Sequence, residues 1–139
     1  ALVSLYGGLA LANAGLGAVH GLAGPLGGLS GAAHGAICGT LLPHALATNA
    51  EHVTDTAMIA RITEVRVWIA NTHGGAPEHA FDTLADWSRK AGLPGLDALG
   101  ISAAHRADAA ASAAASSSMK ANPVPLDPNA LAKLMENAR

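Results

Sequence analysis

The stretch GAVHGLAGPLGGLSGAAHGAICGTLLPH, residues 17–44, decides the fold class, because it is apolar, rich in Gly and Ala, and free of Asp, Glu, Lys and Arg. It contains three histidines, and Cys38 is its only other ionisable residue. Small and unbranched residues favour closely packed helices over a sheet built from β-branched and aromatic residues. We therefore predict buried helices that carry imidazole side chains.

The composition of the whole chain agrees with an all-α fold. Half of the 139 residues are apolar, and only 3% are aromatic. A chain of this length buries about two thirds of its unfolded surface in one core, so we expect a single domain over residues 1–139. The eight Lys and Arg and the ten Asp and Glu all lie between Glu51 and Arg139. The first third is therefore predicted to be buried and the remainder to cover it.

Charge and cysteine content exclude several classes of partner. The formal net charge is −2 and the basic residues are scattered, which argues against nucleic acid. The first fifty residues lack charge over a length that could span a membrane. Their glycines and histidines, Asn13, and the lack of flanking Lys or Arg argue against insertion, so we expect no membrane association. The single cysteine excludes an internal disulfide and fits a cytoplasmic location.

Three helices are predicted in the uncharged part. The first covers residues 1–15 and is expected to be buried. The second covers residues 18–28, with a kink or break at Pro25. The third starts at Ser30 as N-cap and is kinked at Pro43.

Four more helices are predicted in the charged part, with loops between them. An amphipathic helix covers residues 58–71, and another starts at Pro77 and ends at Gly92. Ser102 is predicted to cap the next helix, after a loop over residues 93–101. Asp127 is predicted to cap the last helix.

The histidines of the first third are candidate metal ligands. A neutral imidazole is an inexpensive group to bury and a common ligand of zinc and iron. His20 and His34 are fourteen residues apart, but the Gly-Pro step between them means that spacing alone does not place them on facing sides. Hydrogen-bonded core histidines stay the alternative, and Cys38 is interpreted as a small buried apolar residue. The remaining histidines lie among polar residues and are predicted to be on the surface: His52, His73, His79 and His105.

Two stretches carry a resemblance to a known family. GLGAVHGLAGPLGGLSGAAHGAICGTLLPHALATN, residues 15–49, resembles the histidine signature of the iron-containing (group III) alcohol dehydrogenases. SSSMKANPVPLDPNALAKLMENAR, residues 116–139, is similar to the Asn-Pro segment and last helix of those enzymes. The resemblance implies the all-α, C-terminal domain of a dehydroquinate-synthase-like, iron-containing alcohol dehydrogenase fold. It also implies that an N-terminal α/β nucleotide-binding domain precedes this chain and is absent from it.

The resemblance implies a metal site shared between the two domains. In the family, an Asp and three His hold one divalent metal, Fe²⁺ or Zn²⁺, and two of those histidines correspond to His20 and His34. The other two ligands would come from an upstream Asp-x-x-x-His motif. NAD(H) or NADP(H) would be bound mainly by the N-terminal domain, so no cofactor-binding residue is assigned here and the isolated chain is expected to be inactive.

One position departs from the family pattern. Many members carry a histidine in the substrate pocket four residues after the first ligand, where this chain has Gly24. The resemblance therefore places Gly24 at the substrate pocket, and His44 is the nearest histidine in sequence that could replace the lost imidazole. No catalytic residue is assigned.

The expected function is hydride transfer between NAD(P) and an alcohol, aldehyde or ketone as part of a metal-dependent alcohol dehydrogenase. Two alternatives stay open. One is a maleylacetate reductase of the same superfamily, and the other is a non-catalytic helical interaction module that uses the apolar first third. A homo-oligomer is also left open.

Overall fold

This computed structural model describes residues 2–139, apart from the side chain of Ala114. Side-chain caps and glycines in the left-handed conformation set the ends of several helices. The described part is helical throughout and contains no strand. The prediction of an all-α fold is thus confirmed. The α-helices are α1 (Leu2–Ala14), α2 (Ala18–Ser30), α3 (His34–His52), α4 (Thr56–His73), α5 (Ala80–Lys90), α6 (Ala103–Ala114) and α7 (Pro128–Asn137). Two short 3₁₀ helices cover Pro77–His79 and Ser117–Met119.

The predicted caps of the later helices are confirmed. The Ser102 hydroxyl accepts a hydrogen bond from the backbone N–H of His105 at 3.2 Å. The Asp127 carboxylate accepts one from the N–H of Ala130 at 2.8 Å. Gly92 follows α5 with a φ of +92°, a conformation that glycine adopts at little cost. These ends were predictable because each depends on atoms within three or four residues.

The predicted boundary between α2 and α3 was wrong. α2 continues through Pro25 to Ser30 and ends at Gly31, which has a φ of +71°. Ser30 does not cap α3: its hydroxyl donates to the carbonyl of Leu26 at 2.7 Å and accepts from the N–H of Ala32 at 3.2 Å. Apolar side chains before and after Pro25, Leu22 and Leu26, are fully buried. Their packing stabilises one continuous helix across a residue that disfavours it.

The core lies around α2 and α3, as the uncharged stretch predicts. α2 packs against α3 and α6, and α3 also packs against α5 and α7. The largest fully buried side chains come from these helices, from α7 and from the loop before α6: Leu22, Leu26, Ile37, Leu41, Leu96, Ile101, Leu131, Leu134 and Met135. Burial of such side chains contributes about 1.5–3 kcal/mol each relative to exposure. Burial of these side chains therefore fixes the packing of α2 against α3.

The Asn-Pro segment near the end of the chain fixes the start of α2. The side-chain oxygen of Asn122 accepts a hydrogen bond from the N–H of Ala18 at 3.0 Å, so it caps α2 from a distant loop. The Asn122 amide also donates to the side-chain oxygen of Asn49 in α3 at 2.7 Å and to the carbonyl of Val124. One amide thus joins α2, α3 and the C-terminal segment.

The first helix differs from the prediction. It was expected to be buried, but none of the described residues of α1 is buried, and Leu2, Val3, Leu5, Tyr6 and Leu9 are each more than half exposed. Ala1, which the prediction included, lies outside the described residues. Within the part that is described, no single helix has the length and apolarity to cross a membrane. Only α1 and α2 taken together reach that length, and they are bent by 106° where they meet.

Candidate metal centre

The packing of α2 on α3 brings His20 and His34 together. Their ring centroids lie 5.5 Å apart, and the ring planes are tilted by 51°. His20 lies in the first turn of α2, whereas His34 is the first residue of α3. The turn around Gly31 reverses the chain between them, so the two imidazoles face each other although the sequence spacing did not require it.

A third donor, Cys38, lies one helical turn after His34. Its Sγ is 3.4 Å from Nε2 of His34. One ligand atom from each of His20, His34 and Cys38 lies within 4.8 Å of the other two. The sequence interpretation of Cys38 as a small buried apolar residue did not include this proximity, and Cys38 is half-buried. The signal was present, because residues four apart share one face of a helix.

The donor atoms of this cluster are suitable for a cation. Both imidazoles are exposed and Cys38 is half-buried. Burial raises the pKa of the Cys38 thiol, so the thiol keeps its proton when no metal is bound. Two imidazole nitrogens and a sulfur are donors that zinc and iron accept, while magnesium and calcium prefer oxygen. The donor set therefore fits the metal that the family implies.

The surface next to the cluster has free space. Gly24 follows His20 by one turn of α2 and is exposed. A Cβ built at Gly24 would meet nothing within 4 Å, and the same holds for Gly35 beside His34. A small molecule can approach the imidazoles on this side. The placement of Gly24 beside His20 agrees with the predicted pocket, and its role there stays a prediction.

The structure does not bring His44 to the cluster. His44 lines a separate cavity between α3, α5 and the end of the chain, with Thr40, Arg89, Leu93 and Arg139. Burial and then the positive charge of Arg89 lower the pKa of His44, against an opposing effect of Asp82. The lining of this cavity includes neither Gly24 nor His20, and a role of His44 at the substrate pocket stays a prediction.

The four histidines predicted to be on the surface differ in their contacts. His52 and His79 are exposed. His73 is half-buried, with its ring 4.8 Å from that of Trp87. His105 is also half-buried, because its Nδ1 accepts a hydrogen bond from the N–H of Ser102 at the start of α6. These two contacts stabilise the local structure.

Comparisons with known proteins agree with the fold and with the signature. Residues 1–139 match the model of the Fe-containing alcohol dehydrogenase family, C-terminal. A solved structure of 1,3-propanediol oxidoreductase is similar, with 26% sequence identity and a TM-score of 0.75 over 95% of this chain. The match covers 35% of that structure's chain, so the present chain spans about a third of its length. No curated protein sequence matches the chain significantly. The chain belongs to the iron-containing alcohol dehydrogenase family, and its fold is that of the family's C-terminal helical domain.

Proposed function

We propose that this chain supplies two ligands, His20 and His34, to a divalent metal, Fe²⁺ or Zn²⁺, in a metal-dependent alcohol dehydrogenase that uses NAD or NADP. The observation that carries the proposal is the convergence of these imidazoles from two packed helices, with ring centroids 5.5 Å apart. Two exposed imidazoles that converge from different helices fit a shared ligand better than they fit hydrogen-bonded core histidines.

The fold of this chain would position the metal and leave space for the substrate. The hydrogen bonds of Asn122 to the start of α2 and to Asn49 keep α2 and α3 in register. The free space at Gly24 leaves room for an alcohol, aldehyde or ketone beside His20. When bound, the metal would polarise the substrate oxygen as a Lewis acid, and the nicotinamide would exchange a hydride with the carbon that bears this oxygen.

The nucleotide and the remaining ligands would be bound outside these 139 residues. The match to about a third of the 1,3-propanediol oxidoreductase chain supports this division. We therefore expect the isolated chain to show no alcohol-dependent reduction of NAD or NADP. Measurable reduction by these residues alone would contradict the division of labour between domains.

Single substitutions in the full-length protein test the ligands. His20→Ala and His34→Ala should each lower metal content and alcohol-dependent NAD(P)⁺ reduction together, because loss of a direct ligand weakens a metal site by at least about 10-fold. His79→Ala is the matched control, since His79 is exposed and lies outside the cluster. Metal analysis and an assay with 1,3-propanediol and simple primary alcohols give the readout. If His20→Ala kept full metal and full activity, the ligand assignment would fail.

A second candidate function is a helical interaction module, and the exposed apolar side chains of α1 favour it. Leu5 and Tyr6 are more than half exposed, as expected for a surface that other protein covers. The two functions differ in one measurement. A module without a metal site would bind no Zn²⁺ or Fe²⁺ through His20 and His34.

A further inference from the structure

The first turn of α2 carries His20 but has no cap of its own. Gly17 precedes the helix and offers no side chain to accept a hydrogen bond from the first N–H groups of α2. A helix end without such a partner frays more readily than the helix interior. The position of the His20 imidazole therefore depends on contacts that come from outside α2.

Two side chains near the end of the chain supply those contacts. Oδ1 of Asn122 accepts a hydrogen bond from the N–H of Ala18 at 3.0 Å. Met119 packs on the same turn so closely that a Cβ built at Gly21 would overlap its Sδ and lie 2.8 Å from its Cγ. A Cβ built at Gly17 would lie 2.8 Å from Oδ1 of Asn122. Glycine at both positions leaves room for this close approach to the turn that carries the imidazole.

The side chain of Asn122 is itself fixed by its other contacts. Its amide donates to Oδ1 of Asn49 at 2.7 Å and to the carbonyl of Val124 at 2.7 Å. The amide of Asn49 donates back to Oδ1 of Asn122 at 3.3 Å. Asn49 is buried in α3, the helix that begins with His34. The pair of amides therefore relates the helix of His34 directly to the first turn of α2.

We propose that Asn122 and Met119 are positioning residues for the metal: they hold the first turn of α2 so that the imidazole of His20 stays opposite that of His34. This inference rests on the proposed function, because it requires metal binding by the two histidines. It assigns a role to residues 116–139, the second stretch of the family resemblance, which contribute no donor atom to the cluster. A site that is ordered only part of the time binds its ligand with an affinity reduced by that fraction.

Amide hydrogen exchange and Zn²⁺ titration of the full-length protein test these roles. Asn122→Ala and Met119→Ala should each speed exchange across the first turn of α2 in the metal-free protein and weaken Zn²⁺ binding by about 10-fold. Asn122→Asp keeps an oxygen that can accept from the N–H of Ala18, so it should retain more Zn²⁺ affinity than Asn122→Ala. Met119→Ala removes no side-chain hydrogen bond and keeps the test decisive if Asn122→Ala fails to fold.

The matched control is Asp127→Ala, which removes a hydrogen bond of the same kind from another helix. The Asp127 carboxylate accepts from the N–H of Ala130 at the start of α7, at 2.8 Å. Its loss should lower the midpoint of denaturant unfolding while exchange in α2 and Zn²⁺ affinity keep their wild-type values. Affinities are compared at a temperature at which circular dichroism shows every variant to be folded. This control separates positioning of His20 from a general loss of stability.

Several results would overturn the proposal. Faster exchange with unchanged Zn²⁺ affinity in Asn122→Ala and Met119→Ala would show that these contacts are structural only. Unchanged exchange in α2, an equal loss of Zn²⁺ affinity in Asp127→Ala, or equal affinities of Asn122→Asp and Asn122→Ala would also contradict it. In each case, loss of metal in His20→Ala and His34→Ala would leave the proposed function intact, whereas unchanged metal in those two variants would remove both.

Discussion

The cluster on α2 and α3 and the ionic network around Arg106 both gather polar side chains from several segments, but only the network pairs its charges with opposite charges. Arg106 is 5% exposed and donates to Asp97 at 2.6 Å, to Glu136 at 2.9 Å and to the carbonyl of Ile101 at 2.8 Å. Arg139 donates to the same two carboxylates. The cluster of His20, His34 and Cys38 has no opposite charge among its members.

This difference is the one expected between a structural ionic network and a proposed ligand site. A buried cation that is paired with two carboxylates stabilises the fold as long as both partners stay in place. The imidazoles of His20 and His34 are exposed, and the cluster contains no carboxylate that would pair with them. Glycines show the same contrast: a Cβ at Gly95 would overlap the backbone of Arg139, whereas a Cβ at Gly24 would meet open space.

Removal of the buried cation should have the largest effect on stability. Breaking a buried ionic network by loss of one partner costs about 3–5 kcal/mol, and the half-exposed carboxylates here reduce this to about 3 kcal/mol. We expect Arg106→Met to lower the free energy of unfolding by that amount in denaturant titrations while metal content per folded protein is unchanged. The control is Arg61→Met, because Arg61 pairs with Glu64 at an exposed surface and should cost no more than about 1 kcal/mol. Loss of metal in folded Arg106→Met would show that the two sites are not independent.

Two glycine substitutions should change the free energy of unfolding less than Arg106→Met does, and the two should differ from each other. At Gly95 the obstructing atoms belong to the backbone of Ala138 and Arg139 rather than to a flexible side chain, so Gly95→Ala should destabilise the protein by about 1–3 kcal/mol. At Gly24, inside α2, alanine gains about 0.5–1 kcal/mol in helix propensity, but its Cβ faces the ring of Pro25, so the net effect should be smaller than at Gly95. Equal unfolding midpoints for the two variants would contradict the contrast between a closed and an open surface.

Local chemistry explains which features the sequence predicted. Ser102, Asp127 and Gly92 act on their own helix ends, so the residues within one turn were enough to find them. The exposure of α1 could not be found in this way. α1 and α2 have the same uncharged, Leu-rich and Gly-rich composition, and only the contacts of α2 with α3 and α6 distinguish them.

The site was predicted in part for the same reason. His20 and His34 were identified from the family signature, but their facing geometry depends on the turn at Gly31. The sequence pattern predicts that the turn ends before Ser30, whereas α2 continues to Ser30. The proximity of Cys38 to His34 was not predicted, because a lone cysteine in an apolar stretch is usually a packing residue. His44 was placed at the pocket by proximity in sequence, whereas the course of α3 brings it to the cavity beside Arg89.

The pH dependence of the free energy of unfolding should report on the burial of His44 beside Arg89. Because burial and Arg89 lower the pKa of His44 in the folded protein, the unfolded chain binds a proton there more readily below its ordinary pKa of about 6.5. The contribution of His44 therefore makes the free energy of unfolding fall as pH decreases below that value. His44→Gln should flatten this slope in denaturant titrations across the same pH range. An unchanged slope in His44→Gln would contradict this effect of burial and Arg89 on His44.

Gly24→His should have the smallest effect on stability and a clear effect on the kinetics of the full-length enzyme. A side chain there lies one turn beyond His20 on nearly the same face of α2 and meets no residue within 4 Å apart from its chain neighbours. Gly24→His should therefore fold, with a small cost because Pro25 disfavours a helical backbone at a preceding residue that carries a Cβ.

The added imidazole should alter the pH dependence of kcat/KM or the substrate preference of the full-length enzyme, measured between about pH 5 and 9, where a histidine changes charge. Gly24→Leu tests the same position without adding a titratable group. It should raise KM, because an apolar side chain would fill space that the substrate needs. Thermal melts of both variants report on folding, and their metal content shows whether the ligands are intact. If both variants kept wild-type kinetics, stability and metal content, residue 24 would not face the reacting substrate, and the pocket beside His20 would have to lie on another side of the cluster.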